Sequence, residues 1–151
     1  MSAGSGGAGA GELARLLRAC DADFVPPLSA RVDIDAYAAK LAAQALLVQA
    51  RDDDGALAGL VAIYCNDHDT GIAYISNVCV APAHTRRGIA GRLLDQALAR
   101  ARAAGMRGAR LTVHANNAGA LALYRKHGFM QQGRTGPELS MELAFTSDHP
   151  Q

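Results

Sequence analysis

An apolar, β-branched run from Ile75 to Val80 gives way to Ala81-Pro82-Ala83-His84-Thr85-Arg86-Arg87-Gly88-Ile89-Ala90-Gly91-Arg92. An Ala/Leu pattern follows, with Leu93, Leu94, Ala97, Leu98 and Ala101 at helical spacing. This order predicts a strand, a glycine-bearing turn and a helix that starts at the turn. A helix N-terminus offers unpaired N–H groups and about half a positive charge. Gly88 and Gly91, with the small Ala90, let an anion approach those amides. Arg86, Arg87 and Arg92 add full charges around the same turn. The stretch is suited to a phosphate or pyrophosphate. Alone, Gly88-x-x-Gly91 is also compatible with a fragment of a dinucleotide fingerprint.

A second stretch narrows the choice: Asn117-Ala118-Gly119-Ala120-Leu121-Ala122-Leu123-Tyr124-Arg125-Lys126-His127-Gly128-Phe129. Together the two resemble the GNAT superfamily of acyl-CoA-dependent N-acetyltransferases. Val80, Pro82, Gly88 and Ala90 match the family pattern V-x-P-x-x-[RQ]-x-x-G-x-[GA], and Thr85 stands where Arg or Gln is usual. Asn117, Ala120, Leu123, Tyr124, Gly128 and Phe129 match N-x-x-A-x-x-L-Y-x-x-x-G-F. The resemblance runs from about Leu46 to Phe129. It implies the GNAT fold of the α/β (α+β) class: a central mixed, mostly antiparallel twisted sheet flanked by helices.

The chain has 151 residues, enough for one domain with a sizeable core. Its net charge of +1 gives no bulk pull toward nucleic acid or membrane. No apolar run is long enough to span a bilayer, and the N-terminus lacks a secretory pattern. Cys20, Cys65 and Cys79 show no CxxC spacing and read as reduced thiols of a cytoplasmic protein. No clustered His, Cys or carboxylates predict a metal.

Residues 1–11 are almost wholly Gly, Ala and Ser and read as a disordered tail. That tail occupies the place of the family's first strand, which is therefore expected to be missing or short. Residues 12–146 form the single expected domain, and 147–151 read as a frayed end. Glu12–Cys20 reads as a helix with Leu13, Leu16 and Leu17 on one face. Phe24-Val25-Pro26-Pro27-Leu28 is a stiff apolar loop, and Asp33 caps a helix running through Ala43. Phe24, Leu28 and Arg31 border the acceptor pocket if the family plan holds; otherwise the loop simply packs on the sheet.

Leu46–Ala50, Leu57–Tyr64 and Ile72–Val80 read as a meander of strands. Asp52-Asp53-Asp54-Gly55 and Asn66-Asp67-His68-Asp69 are its turns. Ala109–His114 is the next strand, followed by a helix from Asn116 or Asn117 to His127. Phe129–Gln132 and Leu139–Leu143 finish the sheet.

By resemblance, the backbone of Val78, Cys79 and Val80 holds the pantetheine arm. The amides from Arg86 through Gly88, Ile89, Ala90, Gly91 and Arg92 hold the pyrophosphate. Asn117 and Tyr124 lie seven apart, on one helix face. Asn117 bonds the pantetheine amides, caps the helix, or does both. Tyr124 is the donor to the departing thiolate. With phenol and thiol at their ordinary values, complete proton transfer is uphill by roughly 2 kcal/mol, so a hydrogen bond is the better expectation. Cys79 has no nearby base in sequence and reads as a small buried residue.

Some relatives carry a glutamate base six residues before the motif valine, where this chain has Tyr74. Substitutes are His114, Asp67, His68, Glu138 or water held by Asn77. A low-pKa acceptor amine needs no separate base. The expected activity is transfer of acetyl from acetyl-CoA to an amine-bearing acceptor by a cytoplasmic acyltransferase, without nucleic acid or membrane. A homodimer is compatible with the family. The alternatives are a non-catalytic, regulatory acyl-CoA-binding domain, which has no need of the phenol, and a nucleotide- or RNA-binding module, which lacks interleaved aromatics.

Overall fold

Alternating and continuous apolar runs place the strands, and polar turns separate them. The computed structural model describes residues 2–5 and 8–145. Strands β2 (Leu46–Arg51), β3 (Leu57–Tyr64) and β4 (Ile72–Val80) form the expected antiparallel meander. The Asp52 carboxylate closes the first turn by accepting the Asp54 and Ala56 N–H groups at 2.9 and 3.0 Å. Three aspartates there make a turn, with Gly55 at φ 84° supplying its left-handed corner.

Helix α3 (Ile89–Ala103) crosses from β4 to β5 (Gly108–His114), which lies parallel to β4. Helix α4 (Ala118–Lys126) leads to β6 (Met130–Thr135), and β7 (Glu138–Ala144) inserts between β5 and β6. Two helices precede the meander: α1 (Ala10–Cys20) and α2 (Ile34–Gln44). Asp33 caps α2 by accepting the Asp35 N–H at 3.0 Å.

The N-terminal reading needs correction. Ser2–Ser5 forms strand β1, antiparallel to β2, so the first strand is short rather than missing. Helix α1 begins at Ala10, two residues inside the stretch whose composition predicts disorder, and Ala8 is buried. The backbone of β2 offers an open edge, and pairing with it needs no apolar side chain. The expected frayed end at 147–151 lies outside the described residues.

The sheet, ordered β1-β2-β3-β4-β5-β7-β6, is covered on both faces. One core joins Val61, Ile75, Leu93, Leu94, Leu111, Phe129 and Met141 under α3 and α4. The other joins Leu13, Leu17, Leu41, Leu60 and Ala62 under α1 and α2. The Glu12 carboxylate accepts two bonds from Arg51, at 2.6 and 3.1 Å, tying α1 to β2. No helix is long and apolar enough to cross a membrane among the described residues.

Candidate active site

Strands β4 and β5 pair only at Ile72↔Gly108, Ala73↔Ala109 and Tyr74↔Arg110. Beyond that point they part. The cause lies one strand away: against β3, Ile63 faces Ile75 while Ala62 faces Asn77, so Ser76 is an extra residue on β4. Such a bulge bends and twists its strand. It leaves the β5-facing backbone groups of Ile75–Val80 without a strand partner. A cavity of about 760 Å³ fills the gap. Val78, Cys79, Val80, Arg86, Ala90, Asn117 and Tyr124 line it, with Phe24 and Arg31 at the α1–α2 loop. Leu28 does not reach it; it is 2 % exposed in the α1–α2 core, where its apolar side chain is better satisfied.

After Val80 the chain makes one tight turn over Pro82–His84, and the Thr85 hydroxyl donates to the Pro82 carbonyl at 3.1 Å. Arg86 then adopts φ 66°, the only non-glycine residue in the left-handed region among those described, and Gly88 follows at 74°. A side chain at φ near +60° costs energy that the surrounding structure must offset, and such positions gather at binding sites. Gly88 caps α3 without any side-chain acceptor for the first-turn amides. Those N–H groups border a cavity of about 410 Å³ lined by Arg86, Gly88, Ile89, Ala90, Gly91, Arg92, Lys126 and His127. Arg87 is exposed and lines neither cavity, and the Ile89 side chain anchors the helix in the core, 3 % exposed.

Asn117 caps α4, its Oδ1 accepting the Ala120 N–H at 3.2 Å, and still lines the larger cavity. Two turns on, Tyr124 is 8 % exposed and packs edge-on against Phe129, with centroids 5.9 Å apart. Burial, with a smaller contribution from Cys79, pushes its phenol up to about 12. It is therefore a firm proton holder, and no group among the described residues hydrogen-bonds its hydroxyl.

The groups weighed as bases separate cleanly. His114 and Glu138 line the main cavity as register partners on β5 and β7. The His114 Nδ1 accepts the Asn116 N–H at 3.1 Å, so its neutral ring carries the proton on Nε2 and presents a donor. Asp23, which the sequence did not single out, is a second carboxylate there. His68 lines neither the main cavity nor the one at the α3 N-terminus, and Asp67 lines a separate one of about 420 Å³ with Tyr37, Tyr64, Tyr74 and Arg110. The Cys20 thiol donates to the Val80 carbonyl at 3.3 Å. The hydrogen bond that the Cys79 thiol donates to the Cys20 sulfur, together with burial, pushes Cys79 well up, which keeps it a neutral thiol. Among the described residues no three His, Cys or carboxylate groups cluster to hold a metal.

The sequence profile of the Acetyltransferase (GNAT) family matches residues 12–129. Over 83 residues the chain is 44 % identical to GCN5-related N-acetyltransferase 4, chloroplastic, of Arabidopsis thaliana, covering 51 % of this chain and 28 % of that protein. GCN5-related N-acetyltransferase 6, chloroplastic, of the same plant is 39 % identical over 70 residues, covering 44 % and 24 %. The matches thus span about a quarter of these curated relatives. Among solved structures, PaiA N-acetyltransferase of Thermoplasma acidophilum in complex with coenzyme A superposes with TM-score 0.75 at 18 % identity, over 96 % of this chain and 100 % of that one. A putative streptothricin acetyltransferase of Bacillus anthracis in complex with acetyl coenzyme A gives 0.60 at 25 % identity, over 68 % and 64 %.

Proposed function

The chain belongs to the GNAT acetyltransferase family, and from that premise we propose that it moves an acetyl group from acetyl-CoA to a primary amine by direct attack in a ternary complex. The observation that carries this reading is the continuity of the gap. Unpaired β4 backbone and the Tyr124 phenol border the space opened by the splayed strand pair, and the cavity at the α3 N-terminus adjoins it, with Val80, Thr85, Arg86, Ala90 and Leu123 lining both. The relatives solved with coenzyme A or acetyl coenzyme A support the choice of cosubstrate.

The chain's groups divide the work. The backbone of Val78 to Val80 bonds the pantetheine amides as an added strand would. The α3 amides with Arg86 and Arg92 hold the pyrophosphate. The Asn117 amide nitrogen, left free by the cap, meets the arm. A β4 N–H between Val78 and Val80 polarises the thioester carbonyl. The amine nitrogen bonds to the carbonyl carbon and the C–S bond breaks. The products are the acetamide and CoA thiol, the thiol taking up a proton as the nitrogen gives one up. Tyr124 donates a hydrogen bond to the departing sulfur. Asp23 and Glu138 are the cavity carboxylates that accept the amine's proton, because the His114 Nδ1 lone pair is already engaged. Three free thiols suit a reducing compartment, and we assign the cytoplasm.

Free-thiol release from acetyl-CoA against a panel of primary amines tests the reading. Amine-dependent release is expected. Tight binding with no release from any amine would instead favour an acyl-CoA-binding regulatory domain.

A further inference from the structure

Asn77 is the one buried polar or charged residue among those described, tyrosine aside, at 7 % exposure. Its Oδ1 is buried and has no hydrogen-bond partner, and Asn77 is among the residues that line the main cavity. A buried carbonyl oxygen left bare costs about 1–3 kcal/mol, so such an atom calls for a partner. The other end of the amide is accounted for: it lies beside the Tyr37 phenol, whose hydroxyl also meets Ser76 Oγ at 2.6 Å.

The bulge determines which way this residue faces. Ile75 belongs to the core under α3 and α4, and so does Val78. Regular alternation would turn Asn77 to the same face as Ile75. The extra residue at Ser76 reverses it, so Asn77 pairs with Ala62 and shares the α1–α2 face with Cys79. Tyr124 enters the cavity from the opposite core. A thioester held by the β4 backbone one residue from Asn77 would thus have Tyr124 on one face and a bare acceptor on the other.

We propose that Asn77 Oδ1 accepts a hydrogen bond from the attacking amine and so holds its lone pair toward the thioester carbon. This rests on the acetyltransferase reading above. The contact uses one N–H and the reaction releases another, which restricts the acceptor to amines with two, that is, primary amines. The amide oxygen takes no proton itself; the proton lost on C–N bond formation still leaves to the cavity carboxylates or water.

The probe is hydroxylamine, small and uncharged in neutral buffer, with acetohydroxamate formation from acetyl-CoA as readout on the full chain. Asn77→Ala should lower kcat/KM for hydroxylamine about tenfold, the value of one hydrogen bond, with acetyl-CoA affinity by calorimetry unchanged. Asn77→Asp keeps the oxygen and should recover most of that loss. The parent should prefer hydroxylamine over N-methylhydroxylamine, and Asn77→Ala should lose that preference. Parent-like turnover and preference in Asn77→Ala overturn the proposal and leave the acetyltransferase reading standing. A parallel fall in acetyl-CoA affinity and melting temperature, without rescue by Asn77→Asp, reduces Asn77 to a structural role. No enzyme-dependent hydroxamate from the parent removes the acetyltransferase reading and this proposal together.

Discussion

Replacing Tyr124 by Phe removes one oxygen and little else. The ring keeps its edge contact with Phe129 and its place in the core. The magnitude follows from the phenol's environment. With its pKa near 12 against about 8.5 for a thiol, complete proton transfer to the leaving sulfur is uphill by roughly 5 kcal/mol. That is more than twice the cost expected from ordinary values, so transfer does not precede departure, and the hydroxyl acts as a hydrogen-bond donor. A hydrogen bond to a charged acceptor contributes about 1.5–3 kcal/mol, which predicts a fall in kcat of roughly 10- to 150-fold for Tyr124→Phe. Acetyl-CoA affinity should stay within about twofold. The assay is thiol release at saturating acetyl-CoA and hydroxylamine. Its pH profile should show no alkaline decline from this phenol in the ordinary working range. An unchanged kcat would refute the donor role. A decline centred near a normal phenol pKa that vanishes in the variant would refute the burial argument.

Other consequences follow from named contacts. A Cβ on Gly108, at the closed end of the β4–β5 ladder, would sit 2.7 Å from the Leu143 carbonyl and 3.2 Å from Ile72 Cδ1. Gly108→Ala should therefore cost about 2 kcal/mol and lower the melting temperature by roughly 4–8 °C; an unchanged melting curve would show that β7 yields freely. The Arg51 guanidinium holds the Glu12 carboxyl below its usual value. Its contribution is present above the ordinary carboxylate range and is lost as pH falls through the lowered value, so the urea midpoint of the parent should exceed that of Glu12→Gln near neutrality and converge with it in acid. Leu28→Ala should destabilise by about 2–5 kcal/mol as a core truncation, whereas Arg31→Ala, on the cavity wall, should alter acceptor kinetics with little effect on melting.

The elements that depend on local pattern were legible. Strand β4, helix α3 and the Asp33 cap follow from apolar period and capping chemistry, and they sit within a residue or two of expectation. The features that depend on two segments at once were not. The bulge at Ser76 is a register relation between β3 and β4, and Ser76-Asn77 carries no glycine or proline to announce it. The face of Asn77, the opening of the gap and the bare Oδ1 all descend from that hidden register. Strand β1 was expected to be missing or short because Ser-Ala-Gly-Ser has no apolar alternation; its backbone nonetheless pairs with β2. The left-handed backbone at Arg86 and the rise of the Tyr124 phenol are products of tertiary structure and burial.

The central claim is that the splayed strands and the α3 N-terminus hold acetyl-CoA. Isothermal calorimetry of the chain with acetyl-CoA tests it most directly, beside Gly88→Glu, which puts a negative charge at a position with open space around it and φ +74°. The account predicts one equivalent bound by the parent and none by a Gly88→Glu variant that still melts cooperatively. Absence of binding by the parent, or equal binding by the variant, would contradict it.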